Sequence, residues 1–150
     1  TSSKTGIYNS AIFLEKRGLF LDEAIYVTRP YVTRHGNGPL PCEVDPSELP
    51  GVGEDLTNRP NEWQGTLRYA KHESLEAFFA PVLRDRDSVD CLECMGETKR
   101  PKHPKLSILV TQLSETGNQL YFDEGSIPFE TLQKTGEELG ISCIKDIEQF

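Results

Sequence analysis

The sequence lacks long apolar runs. Its longest apolar stretches, such as residues 106–110, are far shorter than the ~20 residues that a membrane-spanning helix needs. The first residues, Thr1 to Gly6, also lack the basic and then apolar order of a signal peptide. The sequence therefore excludes a membrane-spanning protein. Because the chain opens on Thr1 and not on methionine, we expect a processed chain or a fragment of a longer one.

Cysteine and positive charge are both scarce. Four cysteines in 150 residues are too few for a disulfide scaffold, so a reduced, cytoplasmic protein is expected. Lys and Arg number 16 against 24 Asp and Glu, which gives a net charge of −8, and no block of basic residues is longer than a pair. This balance excludes general nucleic-acid binding, although a few placed arginines can still hold a phosphate group.

The pattern of apolar residues predicts alternating helices and strands. Helices are expected over residues 11–16, 74–83 and 128–139, and strands over residues 25–33, 63–70, 106–111 and 141–144. The run 106–111 is typical of a parallel sheet covered on both faces, and Pro30 is expected to put the first strand at an edge or a bulge. Residues 85–105 are charged and are expected to be irregular. The length fits one domain, and the fold class that we predict is α/β with a mainly parallel sheet, flanking helices and a long binding loop over residues 34–60.

The densest group of chemically useful residues directly follows the first predicted strand. It reads Thr33-Arg34-His35-Gly36-Asn37-Gly38-Pro39-Leu40-Pro41. The two glycines allow a ligand close to the backbone, and Arg34 offers a planar fork for a phosphate or a carboxylate. Two alternatives stay open. The segment is a glycine- and proline-rich turn without a ligand, or it resembles the Arg-His-Gly motif of the histidine phosphatase superfamily and makes the chain a phosphohydrolase.

Two further segments carry weaker signals. Arg59 is followed by Pro60 in a predicted turn, which suits carboxylate recognition but also an ordinary surface turn. Cys91 and Cys94 are spaced as zinc ligands, with His103 nine residues further on, although a structural zinc site needs a fourth ligand. A zinc site and a plain pair of thiols in a loop both remain open.

Four segments in the same order resemble adenylosuccinate synthetase. They are Ser2-Ser3-Lys4-Thr5, Thr33-Arg34-His35-Gly36-Asn37-Gly38-Pro39-Leu40-Pro41-Cys42-Glu43, Thr57-Asn58-Arg59-Pro60 and Thr111-Gln112-Leu113-Ser114. Each is similar to a family motif, and together they cover roughly residues 1 to 115. The resemblance implies that residues 1–150 are the carboxyl-terminal part of a synthetase-like domain in a homodimeric, cytoplasmic enzyme of purine biosynthesis.

The resemblance also implies an activity and a set of ligands. The family is a C–N ligase that joins L-aspartate to a 6-oxopurine mononucleotide such as IMP, using GTP and Mg²⁺. Carried onto this chain, Thr5, Arg34, His35 and Gly36 would bind the mononucleotide. Thr57, Asn58 and Arg59 would bind aspartate. Gln112 and Ser114 would lie beside the purine base of the nucleoside triphosphate.

Departures from the family pattern modify this expectation. Ser114 stands in place of the aspartate that reads guanine, and Gln112 in place of its lysine neighbour, which argues against strict use of GTP. Asn61 stands in place of a second arginine. Asn58 and Asn61, with the run Trp63-Gln64-Gly65-Thr66-Leu67-Arg68-Tyr69, are more similar to the phage 2-aminoadenylosuccinate synthetase branch, which acts on dGMP and uses ATP.

The chain has no glycine-rich phosphate loop and none of the family's catalytic residues. We therefore expect no catalytic or metal-binding residue here, and an amino-terminal half or a partner chain that supplies them. The alternative is a non-catalytic nucleotide-binding or regulatory module of the same fold.

Overall fold

The computed structural model describes residues 6–53, 65–94 and 104–145. Three α-helices run over Ile7–Glu15 (α1), Leu75–Cys94 (α2) and Phe129–Glu138 (α3). Eight strands run over Glu23–Thr28 (β1), Val32–His35 (β2), Glu43–Val44 (β3), Leu67–Ala70 (β4), Lys105–Val110 (β5), Gln119–Phe122 (β6), Gly125–Pro128 (β7) and Ser142–Lys145 (β8). A short 3₁₀ helix covers Pro46–Glu48. In this part of the chain, no helix is long and apolar enough to cross a bilayer.

A three-stranded parallel sheet in the order β1-β5-β8 forms the centre of the fold. One face of this sheet carries Ala24, Ile108 and Cys143, which share a buried apolar cluster with Phe79 of α2 and Leu132 of α3. Burial of such side chains is the main driving force for packing the helices on this face. The structure is therefore mixed α/β with a parallel sheet and flanking helices, as the sequence predicts.

The remaining described strands are antiparallel. Strands β2, β4 and β3 form a second sheet, and β6 and β7 form a hairpin. Only three of the eight described strands therefore lie in a parallel sheet, so the expectation of a mainly parallel fold is wrong for the described residues. The sequence prediction left out β3 and this hairpin. The turn of the hairpin contains Gly125, whose φ of +137° is accessible to glycine but strained for other residues.

The predicted strand over residues 25–33 is two strands in two different sheets. Pro30 separates β1 from β2 and is itself buried. Proline has no N–H group to donate to a ladder, while its carbonyl oxygen accepts a hydrogen bond from the Tyr121 amide at 2.9 Å. The chain therefore leaves the parallel sheet at Pro30 and enters the antiparallel one.

The predicted irregular segment after residue 83 is helical as far as Cys94, because α2 continues through Pro81. Two buried residues seven positions apart, Val82 and Val89, keep an apolar stripe on one side of α2, and the charged residues between them occupy the other positions. Asp85 also ties α2 to the rest of the fold, since its Oδ2 accepts hydrogen bonds from the Tyr26 hydroxyl at 2.6 Å and the Ile7 amide at 3.2 Å.

The other predicted elements are confirmed within one to four residues at their ends, although residues 63 and 64 of the strand predicted over 63–70 lie outside the described residues. These are α1, β4, β5, α3 and β8. Gly140, with φ of +73°, lies just beyond α3 as the sequence predicts.

Candidate functional site

The loop between β2 and β3 is held by an arginine from a neighbouring strand. Arg68 of β4 donates hydrogen bonds from Nη1 to the Gly36 and Gly38 carbonyl oxygens, at 2.9 and 2.8 Å. Its Nε donates to Glu43 Oε1 at 2.7 Å, and Nη2 also pairs with Glu43. These hydrogen bonds from Arg68 lower the pKa of Glu43. One guanidinium thus joins both ends of the loop.

Arg34 serves the same loop in a lesser way. Its Nη1 donates to the Pro39 carbonyl oxygen at 3.1 Å, and a Cβ atom added at Gly38 would lie 2.5 Å from its Nη2. Gly38, with φ of +131°, therefore makes room for the guanidinium. The sequence singled out Arg34 and missed Arg68. The only signal for Arg68 is its register directly opposite Arg34 on the paired strand, which a single sequence does not display.

The two flanks of segment 54–64 lie beside other segments that the sequence singled out. This segment carries Thr57, Asn58 and Arg59 and lies outside the described residues, as does Thr5. Its two flanks are described. A Cβ atom added at Gly65 would lie 3.6 Å from Gly36 Cα, and one added at Gly51 would lie 1.9 Å from the Glu115 carbonyl oxygen. One flank therefore meets the His35-Gly36 region and the other meets the turn that follows Gln112.

A cluster of tyrosines fixes the flank at Gly51. We call residues 45–53 the strap. Leu49 of the strap is buried among Tyr31, Tyr69 and Tyr121. The Tyr121 hydroxyl donates a hydrogen bond to the Pro50 carbonyl oxygen, and the Tyr31 hydroxyl donates to Glu115 Oε2 at 3.2 Å. Burial, together with the Glu115 charge, raises the pKa of Tyr31 to about 12. The strap and the turn around Glu115 are thus fastened together.

Gln112 has an unusual environment at the carboxyl end of β5, the central strand of the parallel sheet. Its φ of +59° is a left-handed conformation that costs a non-glycine residue about 1–2 kcal/mol. Its side-chain Oε1 is buried without a hydrogen-bond partner among the described residues. Strained residues and unpaired buried polar atoms both concentrate at functional sites. Ser114, two residues further on, is exposed.

We expect the Gln112→Gly variant to be more stable than the native chain, by about 1 kcal/mol. Relief of the left-handed strain and of the unpaired amide outweighs the extra backbone entropy of glycine. Urea unfolding measures the change. Gln112→Ala is the matched control, because it removes the amide and keeps the strain, and its stability is expected to lie below that of Gln112→Gly. A Gln112→Gly variant less stable than the native chain would contradict this account of Gln112.

His72 is a largely enclosed histidine beside a cavity of about 150 Å³. Its ring contacts Phe78 and Phe122 at centroid distances of 5.0 and 5.4 Å. Nε2 lies 3.0 Å from the Arg29 carbonyl oxygen, which only accepts, so Nε2 carries the proton of the neutral ring. Burial lowers the pKa of His72, against a smaller opposite effect of the Arg29 carbonyl.

This lowered pKa predicts a loss of stability in mild acid. Below the ordinary histidine pKa of about 6.5, the unfolded chain takes up a proton at residue 72 before the folded chain does. The free energy of unfolding should therefore fall as pH drops from about 6.5 towards the folded-state pKa, by at most about 1.4 kcal/mol per pH unit. Urea unfolding at several pH values checks it. His72→Gln should flatten this dependence, and an unchanged dependence in that variant would contradict the assignment to His72.

The described residues contain no group of three or more His, Cys, Asp or Glu side chains arranged to hold a metal ion. The side chains of Cys91 and Cys94, and all of His103, lie outside the described residues, so the predicted zinc site stays a prediction. Comparisons with protein-family models, curated proteins and solved structures give no match to this chain.

Proposed function

We propose that this chain is the carboxyl-terminal part of an adenylosuccinate-synthetase-like ligase, which joins L-aspartate to a 6-oxopurine mononucleotide with hydrolysis of a nucleoside triphosphate. The observation that carries the proposal is the meeting of segments that are far apart in the sequence. Gly65 lies against Gly36, and Gly51 lies against Glu115. The aspartate segment 57–59 would thus be flanked by the two nucleotide segments, as a reaction between these substrates requires.

In this proposal, the described residues bind and orient substrates. The loop held by Arg68 presents the backbone at His35 and Gly36 to the ribose and base of the mononucleotide. Arg34 contacts the loop directly, so its part is to shape this surface. Thr5, on the amino-terminal side of α1, would approach the monophosphate, and Arg59 would grip a carboxylate of aspartate through two parallel N–H bonds.

In this proposal, Gln112 and Ser114 contact the purine base of the nucleoside triphosphate. The unpaired Oε1 of Gln112 supplies an acceptor that a base amine would satisfy. The absence of a carboxylate at residue 114 favours ATP over GTP. In this proposal Mg²⁺ is held by the triphosphate and by the polypeptide that carries the phosphate loop, since Mg²⁺ is usually bound through substrate phosphates.

That second polypeptide, either an amino-terminal half or a partner chain, supplies the catalytic groups in this proposal. We keep a second candidate, a non-catalytic nucleotide-binding module of the same fold, because this chain's sequence contains no phosphate loop. A coding sequence upstream of Thr1 that encodes a glycine-rich phosphate loop would favour the ligase over the module. A histidine phosphatase gains no support from the surroundings of His35, an exposed residue at the end of an antiparallel strand.

Titration of the 150-residue chain with separate ligands, followed by amide NMR shifts, tests the proposal. We expect dGMP or IMP to shift residues 35–38, and ATP with Mg²⁺ to shift residues 111–115. L-Aspartate should shift the flanks of segment 54–64, and Arg59→Ala should remove that response while preserving the dGMP response. The matched control is Arg17→Ala, two residues beyond the end of α1. Absence of every response at millimolar ligand, or responses confined to other surfaces, would refute both the ligase and the module.

A further inference from the structure

In the described part of the chain, no strand pairs with the outer edge of β1, and two apolar side chains on one of its faces are exposed. Among the described strands, β1 has one sheet neighbour, β5. The amides of Lys105 and Thr111 donate to the carbonyl oxygens of Asp22 and Thr28, so the even-numbered residues of β1 pair with β5. The backbone groups of Glu23, Ile25 and Val27 therefore point away from the sheet.

Two of these three residues, Ile25 and Val27, have apolar side chains that are exposed. Ile25 is 54% exposed and Val27 is 66% exposed, although β-branched residues in a parallel sheet are normally covered on both faces. Edge strands are usually protected from pairing by a proline or a charged side chain. Residues 24–28 of β1 contain neither. An edge with these properties is suited to pair with another strand.

We propose that β1 pairs antiparallel with β1 of a second copy of this chain, in one register. Antiparallel pairing requires residues of equal parity to face each other, and centring the two-fold axis on Tyr26 puts Ile25 opposite Val27 of the second copy. It also puts Glu23 opposite Arg29 of the second copy. Apolar side chains then face apolar ones, and an acid faces a base. Moving the centre to Ile25 would instead put Glu23 opposite Val27.

The contacts of Glu23 agree with this register. Its Oε1 accepts from Ser107 Oγ at 2.7 Å and pairs with Lys105 Nζ at 3.1 Å. These contacts use one carboxylate oxygen, so Oε2 is assigned to Arg29 of the second copy. The paired strands join two three-stranded sheets into one of six strands. A six-residue strand pair is smaller than the interface of a permanent dimer, so the association is weak and depends on concentration.

Analytical ultracentrifugation and residue-resolved hydrogen exchange of the 150-residue chain, between about 10 µM and 1 mM, test this inference. We expect a dimer fraction that rises with concentration, with slower exchange at Ile25 and Val27 and no change at Ala24 and Tyr26. Val27→Lys should weaken dimerisation about tenfold or more, because an edge lysine opposes pairing. Phe13→Lys, at an apolar residue of α1 that is 54% exposed, is the matched control and should leave it unchanged.

A charge exchange tests the register itself. Arg29→Glu should weaken the dimer, and the double variant Glu23→Arg with Arg29→Glu should restore it. A chain that stays monomeric at 1 mM would overturn the inference, and would fit an edge reserved for a different polypeptide. A dimer insensitive to Val27→Lys would overturn it as well. Neither result bears on the ligand titration, so failure here is distinguishable from failure of the proposed function.

Discussion

Replacing Phe122 with alanine is expected to lower the free energy of unfolding by about 3–5 kcal/mol. Phe122 is 4% exposed, and its ring contacts both His72 and Phe78. The variant loses the transfer free energy of a large buried ring and leaves a cavity that the surrounding strands fill only in part. Because Phe122 also shields His72, the variant should raise the pKa of His72 from its lowered value towards 6.5.

Urea unfolding and NMR titration of the histidine ring measure the two effects of Phe122→Ala. Phe20→Ala is the control, since that ring is 49% exposed and its loss should cost far less. If the Phe122 variant lost stability while the pKa of His72 did not change, the Phe122 ring would not be the cause of the lowered pKa of His72. If both phenylalanine variants lost equal stability, the assignment of Phe122 to the core would be wrong.

Gly51→Ala should have the next largest effect, a loss of about 3 kcal/mol of unfolding free energy. A left-handed backbone costs alanine about 1–2 kcal/mol, and overpacking adds about 1–3 kcal/mol. Both apply here, because Gly51 has φ of +87° and its added Cβ would lie 1.9 Å from the Glu115 carbonyl oxygen. That neighbour is backbone, so it gives way only if the strap or the turn moves.

Gly117→Ala separates the two causes, since Gly117 has φ of +60° but no atom within 4 Å of an added Cβ. We expect it to cost only the conformational part, about 1 kcal/mol. Urea unfolding of both variants, with amide shifts of residues 45–53 and 113–116, provides the measurement. Equal losses at the two glycines would show that the contact between the strap and Glu115 does not contribute.

Local signals in the sequence were sufficient for some elements. The run 106–110 of β5 is mostly apolar and is largely buried on both faces, which fits the centre of a parallel sheet, and Gly140 follows α3 as a stop. These features depend on a few neighbouring residues. The boundary at Pro30 and the continuation of α2 past Pro81 depend instead on distant partners, Tyr121 for the first and the apolar core around Val82 and Val89 for the second.

The candidate site shows the same division. The chemistry of Arg34, His35 and Gly36 is visible in one stretch of sequence. The residue that organises their loop, Arg68, is 30 or more positions away from the carbonyl groups that it binds. The conformation of Gln112 is likewise invisible in the sequence, because glutamine has no preference for positive φ and its unpaired oxygen depends on how the chain folds around it.

The close approach of Gly51 to Glu115 has a thermodynamic consequence. The strap and the turn after β5 are in backbone contact. A ligand that displaces the turn must therefore also displace the strap. If this first ligand changes the affinity for a second ligand, bound by the segment that follows the strap, the second ligand must change the affinity for the first by the same factor and in the same direction. The sign of this cooperativity depends on whether the two ligands favour the same spacing between Gly51 and Glu115, and the small size of the exposed Gly51 is what allows that spacing to be short.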